Sequence, residues 1–416
     1  MSIFQNLISS IKEGSLRSRY FHTKDFSNLP SDIHMAVESV MSKSGEVSSL
    51  VYAENLFGLI EKLNDEQFID FFNKLLEKYD IDSESLSKAS REYSRNKTQK
   101  SLEEITQLSE PKWVELFRRL NTVSEGTLKL VKLRERIRSL ERDNPELKYF
   151  DSALLDLFKH WFNPSFLVLK RIDWSTPASI LEKIIAYEAV HEINSWGDLR
   201  SRLEPDDRRC FAFFHPLIPN EPLIFVEVAL TDRMPKKIDE VIKIDRGITS
   251  DDDINTAVFY SISSCQDGLS GISFGNFLIK EVVYKLKRKN EGLERFVTLS
   301  PVPGFARWLK QHTVEENIDD ESLLKHAIIY FLHSDREDEF PNDPVARFHL
   351  GNGASLERVN LNADMSLKGI HQSKGIMVNY QYQLDSFEKN HELFFKTKKV
   401  KYSDTIKSLR KKLQIQ

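Results

Sequence analysis

The chain has 416 residues, 40% of them hydrophobic and 29% charged, with a formal net charge of -4. That length predicts two domains, and the near balance of charge gives no reason to expect nucleic acid or an anionic membrane as partner. Two cysteines, Cys210 and Cys265, exclude a disulfide framework and a four-thiolate metal site, and no apolar run approaches the about 20 residues that span a bilayer.

Met1 to Tyr20 is Ser-rich, with Lys12, Arg17 and Arg19 against the single acid Glu13. It reads as a frayed N-terminal helix rather than an organelle presequence. The chain ends Leu-Gln-Ile-Gln416, which is no peroxisomal address, and cytoplasm is the expected compartment.

From Ile33 to Lys170 the periodicity is helical almost throughout. Asn64-Asp-Glu-Gln67 has the form of a capping box, followed by Phe68, Phe71, Phe72, Leu75, Leu76 and Tyr79 on one apolar stripe. Ser109-Glu-Pro111 opens a helix whose buried face is Trp113, Leu116, Phe117 and Leu120. Further helices are predicted over Thr127 to Arg142 and Asp151 to Phe162, the last stopped by Asn163-Pro164. Ser83 to Lys100 reads either as a mobile connection or as a charged helix. Arg134, Arg136, Arg138 and Arg142 are interrupted by Glu135 and Glu141 without interleaved aromatics, so a solvated face is expected rather than a nucleic-acid surface. This half carries no chemistry that its residues identify.

The second half is mixed α/β. A helix through Leu181, Ile184 and Ile185 precedes two strands, Arg209 to Phe214 and Leu223 to Leu230, with Pro216, Pro219 and Pro222 in the turn between them. Ala257 to Ser263 is a third strand, followed by a Gly-bearing loop and an amphipathic helix over Asn276 to Lys289. Phe296 to Leu299 forms a short buried strand that stops at Ser300, because Pro301 and Pro303 remove backbone donors. Phe305, Trp308 and Leu309 restart the pattern as a helix, another covers Ser322 to Leu332, and Gly375 to Leu384 closes the sheet. The fold class is α+β: an all-helical N-terminal bundle, then a domain with a mixed, mostly antiparallel sheet and one βαβ unit.

Three features carry candidate chemistry. Ser300 ends a strand at a rigid turn, where α/β proteins place ligands, although local grammar alone reads it as a strand-ending hydroxyl. One βα unit upstream, Gly268, Gly271 and Gly275 lie between a strand and a helix. They form either a plain Gly-rich turn or an anion nest at a helix N-terminus. The loop is neither a Walker loop nor a dinucleotide fingerprint. Downstream, His349 follows Phe348 and precedes Gly351-Asn-Gly353, where an ordered segment opens into a turn.

Ser300-Pro-Val-Pro-Gly-Phe together with Pro344-Val-Ala-Arg-Phe-His349-Leu-Gly-Asn-Gly-Ala resembles the malonyl-CoA decarboxylase family. Tyr187-Glu-Ala-Val-His191, Phe259-Tyr-Ser-Ile-Ser263, Gly275-Asn-Phe-Leu-Ile-Lys280 and Asn379-Tyr-Gln-Tyr382 extend the resemblance, in order, from about Phe162 to Leu384. The resemblance implies a GNAT-like (N-acetyltransferase-like) catalytic domain over residues 171–416 behind a helical, oligomer-forming domain over residues 1–170. It implies conversion of malonyl-CoA to acetyl-CoA and CO2 in a homo-oligomer, with no metal and no organic cofactor beyond the CoA thioester substrate. Carried over by motif, Ser300 and His349 form the catalytic dyad, supported by Tyr382 and Ser261. Gly268, Gly271, Ser273, Gly275 and Asn276 hold the CoA phosphates. Some relatives carry Glu where this chain has Ser273.

The expected mechanism gives Ser300 the malonyl carboxylate to orient and His349, with a near-neutral pKa, the proton for the α-carbon. A nucleophilic Ser300 ranks lower, since no Gly-x-Ser-x-Gly elbow is present. The competing functions are an acyl-CoA-dependent acyltransferase, which needs an amine acceptor, and a non-catalytic acyl-CoA-binding protein.

Overall fold

The computed structural model describes residues 29–42, 46–272, 274–313 and 318–415, so the reading of Met1 to Tyr20 lies outside the described residues. The chain divides into two compact units. One contains the described residues up to Phe166 together with Pro216–Pro219 and Gln266–Ile272; the other contains the rest, beginning at Leu167.

The first unit carries eight consecutive helices: α1 (Ile33–Met41), α2 (Glu46–Ile60), α3 (Asp65–Tyr79), α4 (Ser83–Arg95), α5 (Gln99–Leu108), α6 (Lys112–Leu120), α7 (Gly126–Leu140) and α8 (Leu147–Trp161). Helix α3 starts where its capping box predicts. Asn64 Oδ1 accepts the Gln67 amide at 2.8 Å and Gln67 Oε1 accepts that of Asn64 at 3.1 Å. The α3 stripe meets α6 and α8 through aromatic rings, with Phe72 and Trp113 at 4.6 and 4.5 Å from the Phe150 centroid. The Ser83 to Lys100 stretch is helical on both sides of a break, and Thr98 caps α5.

Arg134 departs from expectation. It is fully buried rather than solvated. Its Nε donates to Asp151 Oδ1 at 2.8 Å and its Nη1 to the carbonyls of Gly268 and Ser270 at 2.7 and 2.9 Å. The charge pattern of α7 resembled an exposed face because the partners that bury Arg134 lie far away in sequence.

The second unit is built on an eight-stranded sheet in the order β1-β2-β3-β4-β5-β8-β6, with β7 also on β8. The strands are β1 (Val168–Ile172), β2 (Arg208–His215), β3 (Ile218–Thr231), β4 (Thr256–Ser264), β5 (Arg295–Thr298), β6 (Ser300–Pro301), β7 (Ser355–Asn360) and β8 (Met377–Tyr382). Strands β4 and β5 pair parallel, whereas β1–β2, β3–β4, β5–β8, β6–β8 and β7–β8 are antiparallel. The fold is therefore α+β with a mixed, mostly antiparallel sheet behind a helical region. Strand β3 begins earlier than expected and contains Pro219 and Pro222. Its ladder with β4 starts only at Ile224, so neither proline removes a donor from that pairing.

Around the sheet run α9 (Ala178–Tyr187), α10 (Trp196–Leu203), α11 (Asp239–Ile242), α12 (Gly275–Lys289), α13 (Phe305–His312), α14 (Asp320–Leu332), α15 (Pro344–Gly351), α16 (Leu367–Ser373), α17 (Phe387–Thr397) and α18 (Asp404–Lys412). Ile180, Leu181 and Ile184 of α9 and Leu199 and Leu203 of α10 bury one face of β2 in a cluster that also encloses Cys210 and Cys265. Both thiols are free and buried, and burial pushes each pKa well above its ordinary value.

Candidate active site

Strands β4 and β5 run side by side from Thr256↔Arg295 to Phe259↔Thr298. One more bond joins them, from the Leu299 amide to the Phe259 carbonyl at 3.0 Å. Beyond it they part. Ser300 instead pairs with Val378 of β8, while β4 continues to Ser264. A cavity of about 260 Å³ opens in the gap, walled by Phe259, Ser261, Ile262 and Ser264 on one side and Ser300, Pro301, Val345, Phe348 and His349 on the other.

The expected stop at Pro301 is not what is seen: β5 ends at Thr298, and Ser300 and Pro301 together form β6 against Val378 and Met377 of β8, which sets Ser300 on the cavity wall. His349 arrives on α15, whose start is written in Asp343-Pro344: Asp343 accepts the Ala346 amide at 2.8 Å and Pro344 occupies the first turn. The imidazole lies in the last turn of this helix, against the face of Tyr380 at 4.8 Å between ring centroids. This agrees with the expectation that an ordered segment opens into a turn just after His349.

Ser300, His349 and Tyr382 come together as one hydrogen-bonded chain. Ser300 Oγ donates to Thr298 Oγ1 at 2.9 Å and lies 3.1 Å from His349 Nε2; His349 Nδ1 lies 2.7 Å from the Tyr382 hydroxyl. A hydroxyl has one proton, and that of Ser300 is committed to Thr298, so His349 Nε2–H must be the donor to Ser300. Nδ1 then accepts from Tyr382, whose phenol pKa burial pushes well above its usual value, so it keeps its proton. Burial lowers the His349 pKa to about 3, so the imidazole is neutral and not poised near neutrality as its role led us to expect.

Ser261 sits on the opposite wall and does not join this chain. Its hydroxyl approaches Glu188 Oε1 and Oε2 at 2.8 and 2.7 Å, and Glu188 Oε1 also accepts the amides of Val190 and His191 at 2.9 and 2.8 Å. A bulge helps aim it: the register steps from Glu227↔Ser261 to Val228↔Phe259, leaving Tyr260 as the extra residue on β4. Glu188, Thr298 and Tyr380 were not singled out from sequence. Glu188 and Tyr380 lie inside motifs that were quoted, but only the fold shows that Glu188 meets Ser261 and that Tyr380 stacks on His349.

The residues expected from sequence to hold the CoA phosphates divide. Gly268 and Gly271 belong to the segment grouped with the helical unit. A Cβ on Gly268 would fall 2.0 Å from the Val131 carbonyl oxygen, and Gly271 has φ +89°. Packing against α7 and a left-handed turn account for these two. Gly275 opens α12, where a Cβ would meet the Phe348 ring at 2.3 Å. No side-chain hydrogen bond caps the start of α12 among the described residues. Ser273 lies outside the described residues. Among the described residues no cluster of His, Cys, Asp and Glu could hold a metal ion, and no helix is long and apolar enough to cross a membrane.

Comparison with known proteins bears on the same regions. Residues 165–322 and 315–416 match the family model of the malonyl-CoA decarboxylase C-terminal domain, and residues 79–162 match that of the N-terminal domain. The mitochondrial malonyl-CoA decarboxylase of the goose Anser anser anser is 34% identical over 349 residues, 72% of this chain and 69% of that protein. The mouse enzyme is 33% identical over 350 residues, 72% of this chain and 71% of the relative. Crystal structures of malonyl-CoA decarboxylase from Agrobacterium vitis and Rhodopseudomonas palustris superpose with TM-scores of 0.86 and 0.84 at 43% and 42% identity. They cover 91% and 90% of this chain, and 100% and 98% of their own.

Proposed function

The chain belongs to the malonyl-CoA decarboxylase family of carboxy-lyases, and from that premise we propose that the cavity between β4 and β6 converts malonyl-CoA to acetyl-CoA and CO2. The observation that carries the reading is the chain Thr298–Ser300–His349–Tyr382 on the wall of a largely apolar gap between parting parallel strands. An acyl thioester lies along that gap with its malonyl end at Ser300, and the α12 N-terminus takes a CoA phosphate.

Loss of CO2 sends the electrons of the breaking C–C bond into the thioester carbonyl, giving an enolate. Ser300 turns its hydroxyl from Thr298 to the malonyl carboxylate and holds it out of the thioester plane, so the breaking bond overlaps the carbonyl π system. Apolar walls exclude water and strengthen every dipole aimed at the developing oxyanion.

The reaction consumes one proton per turnover. A carboxylate arriving beside His349 in a water-poor site favours the imidazolium, so the proton is taken up with the substrate. Tyr382 suits both states, donating to Nδ1 of the neutral ring and accepting from Nδ1–H of the imidazolium. When CO2 leaves, His349 delivers the proton to the α-carbon and returns to its neutral form. Glu188 holds Ser261, which lines the wall facing the acyl group.

The test is acetyl-CoA and CO2 formation by purified protein given malonyl-CoA and no acceptor. Turnover that appears only when an amine is supplied would replace this reading with acyl transfer. Homo-oligomerisation through the helical unit completes the proposal, and light scattering on the full chain measures it.

A further inference from the structure

Ser261 is one end of a polar network that runs from the cavity into the interior. Its register partner across the β3–β4 ladder is a second carboxylate, Glu227, fully buried in the middle of β3. Glu227 Oε2 accepts from Arg202 Nη1 at 3.0 Å, and its Oε1 has no hydrogen-bond partner among the described residues. Arg202 is buried as well and uses Nη2 on the Glu192 carbonyl at 3.1 Å. Arg202 therefore pairs with Glu227, while Glu188 lies near enough to feel the charge of both.

We propose that Glu227 is a positioning residue for the reaction: by its own charge and by pairing Arg202, it sets the negative potential at Glu188 and so the way Ser261 presents its hydroxyl to the cavity. The inference rests on the decarboxylase reading. Burial raises the Glu227 pKa to about 7, against the pull of Arg202 and with the push of Glu188. The other charged and titratable groups facing it are Tyr260 of β4 and Arg208 and Cys210 of β2. When Glu227 holds its proton, the positive charge of Arg202 is left uncompensated and acts on Glu188, which keeps the Ser261 proton directed at its carboxylate. When Glu227 ionises, it neutralises Arg202 and the potential at Glu188 becomes more negative.

Steady-state pH profiles test this. The native protein is expected to show an inflection in kcat near pH 7 that Glu227→Gln removes, leaving the value approached on the acid side, because an amide imitates the protonated acid. In a Ser261→Ala background the same substitution is expected to change kcat less than about twofold, since the path to the cavity is already cut. Arg202→Lys keeps the cation and is expected to keep the inflection. An inflection that persists in Glu227→Gln, or an equal fold-change in both backgrounds, overturns the proposal.

If Glu227→Gln does not fold, Glu227→Asp must still show an inflection at a displaced pH, and a flat profile there also overturns it. Infrared titration supplies a readout independent of activity: the carbonyl stretch of a protonated interior carboxyl should disappear as pH rises through neutrality and be missing from Glu227→Gln. Its titration should move the carboxylate stretch that Glu188→Gln removes. A native protein that releases no CO2 defeats the decarboxylase reading, whereas a Glu188 stretch indifferent to Glu227 defeats the positioning role.

Discussion

Ser300 Oγ lies 3.1 Å from His349 Nε2, yet it gives its own proton to Thr298 at 2.9 Å, so the imidazole donates to the serine rather than accepting from it. This is the reverse of an activated nucleophile, in which the base removes the hydroxyl proton. Ser300→Ala is expected to lower kcat by roughly 10²–10⁴-fold through lost orientation, a range typical of positioned catalytic groups. Intact-mass measurement during turnover should find no acyl adduct on the protein. An adduct at Ser300 that accumulates and decays at the turnover rate would overturn the orienting role.

The neutral state of His349 separates two pH profiles. In the free protein burial lowers its pKa to about 3 and the imidazolium forms only by proton uptake with the substrate, so kcat/KM should fall steadily as pH rises from roughly pH 5 to pH 8. In the complex the malonyl carboxylate raises the same pKa, and kcat should fall as pH rises and the imidazolium is lost. Proton uptake on binding checks this directly: mixing protein with a non-reacting malonyl thioester analogue in weak buffer at pH 6 should consume protons, and His349→Gln should abolish the uptake.

Tyr382 holds the tautomer. Removing its hydroxyl in Tyr382→Phe leaves Nδ1 without its donor at 2.7 Å, in a site with little water to replace it. The ring then loses its preference for the Nε2–H form. We expect kcat to fall by about 10–100-fold with KM little changed, since the phenol touches the histidine rather than the thioester. The thermal midpoint should drop as well, by the equivalent of about 1–2 kcal/mol for a buried polar group left unpaired. Equal losses in KM and kcat would instead make Tyr382 a substrate ligand.

Much of the site was legible because its signals are local. Ser300 was singled out by the prolines that follow it, although Pro301 shares β6 with it, and α12 was read from its amphipathic pattern to within one residue of its start. The helix carrying His349 was also written in sequence, as Asp343 before Pro344, although it was read as an ordered segment without a cap. What stayed hidden depends on long-range partners. Glu188 becomes notable only when Ser261, 73 residues away, reaches it. Strands β1 and β7 were not read from sequence: Lys170 and Arg171 interrupt the apolar alternation of β1, and β7 carries Glu357 and Arg358 at its centre. Pairing with β2 and β8 decides both, and pairing has no signature within a single strand.

Acid stability should report the two buried imidazoles. Burial lowers His349 to about 3 and His191 to about 4, both below the ordinary value of 6.5. Between those values the unfolded chain binds protons that the native state refuses, so stability is complete above about pH 6.5 and is lost as pH falls. Glu227 acts with the opposite sign: its pKa, raised to about 7, gives stability that is lost as pH rises through that value. The effect is therefore read as a difference. Denaturant midpoints of His349→Gln and His191→Gln, compared with the native protein from pH 7 down to pH 4, should each show a flatter acid slope. Parallel slopes would mean that these rings titrate normally in the fold.

The buried arginine of the helical unit offers a prediction about stability rather than chemistry. Arg134 is enclosed with Asp151, to which Nε and Nη2 reach at 2.8 and 3.4 Å, and its Nη1 is the donor for the Gly268 and Ser270 carbonyls. Arg134→Met fills similar volume but leaves Asp151 and both carbonyls without that donor, a change expected to cost about 3–5 kcal/mol. Arg138 lies 3.8 Å from Asp151 and is too far to replace the lost hydrogen bonds. Arg134→Lys keeps the charge but lacks the planar fork that serves a carboxylate and two carbonyls at once, so it should recover only part of the loss. Adding Asp151→Leu to Arg134→Met removes the stranded carboxylate and should restore stability relative to the single variant. The two carbonyls still lack a donor, so recovery should be incomplete. Thermal unfolding of the three proteins measures the order: Arg134→Met lowest, the double variant above it, the native protein highest. A double variant less stable than Arg134→Met would show that Asp151 contributes through contacts other than this ion pair.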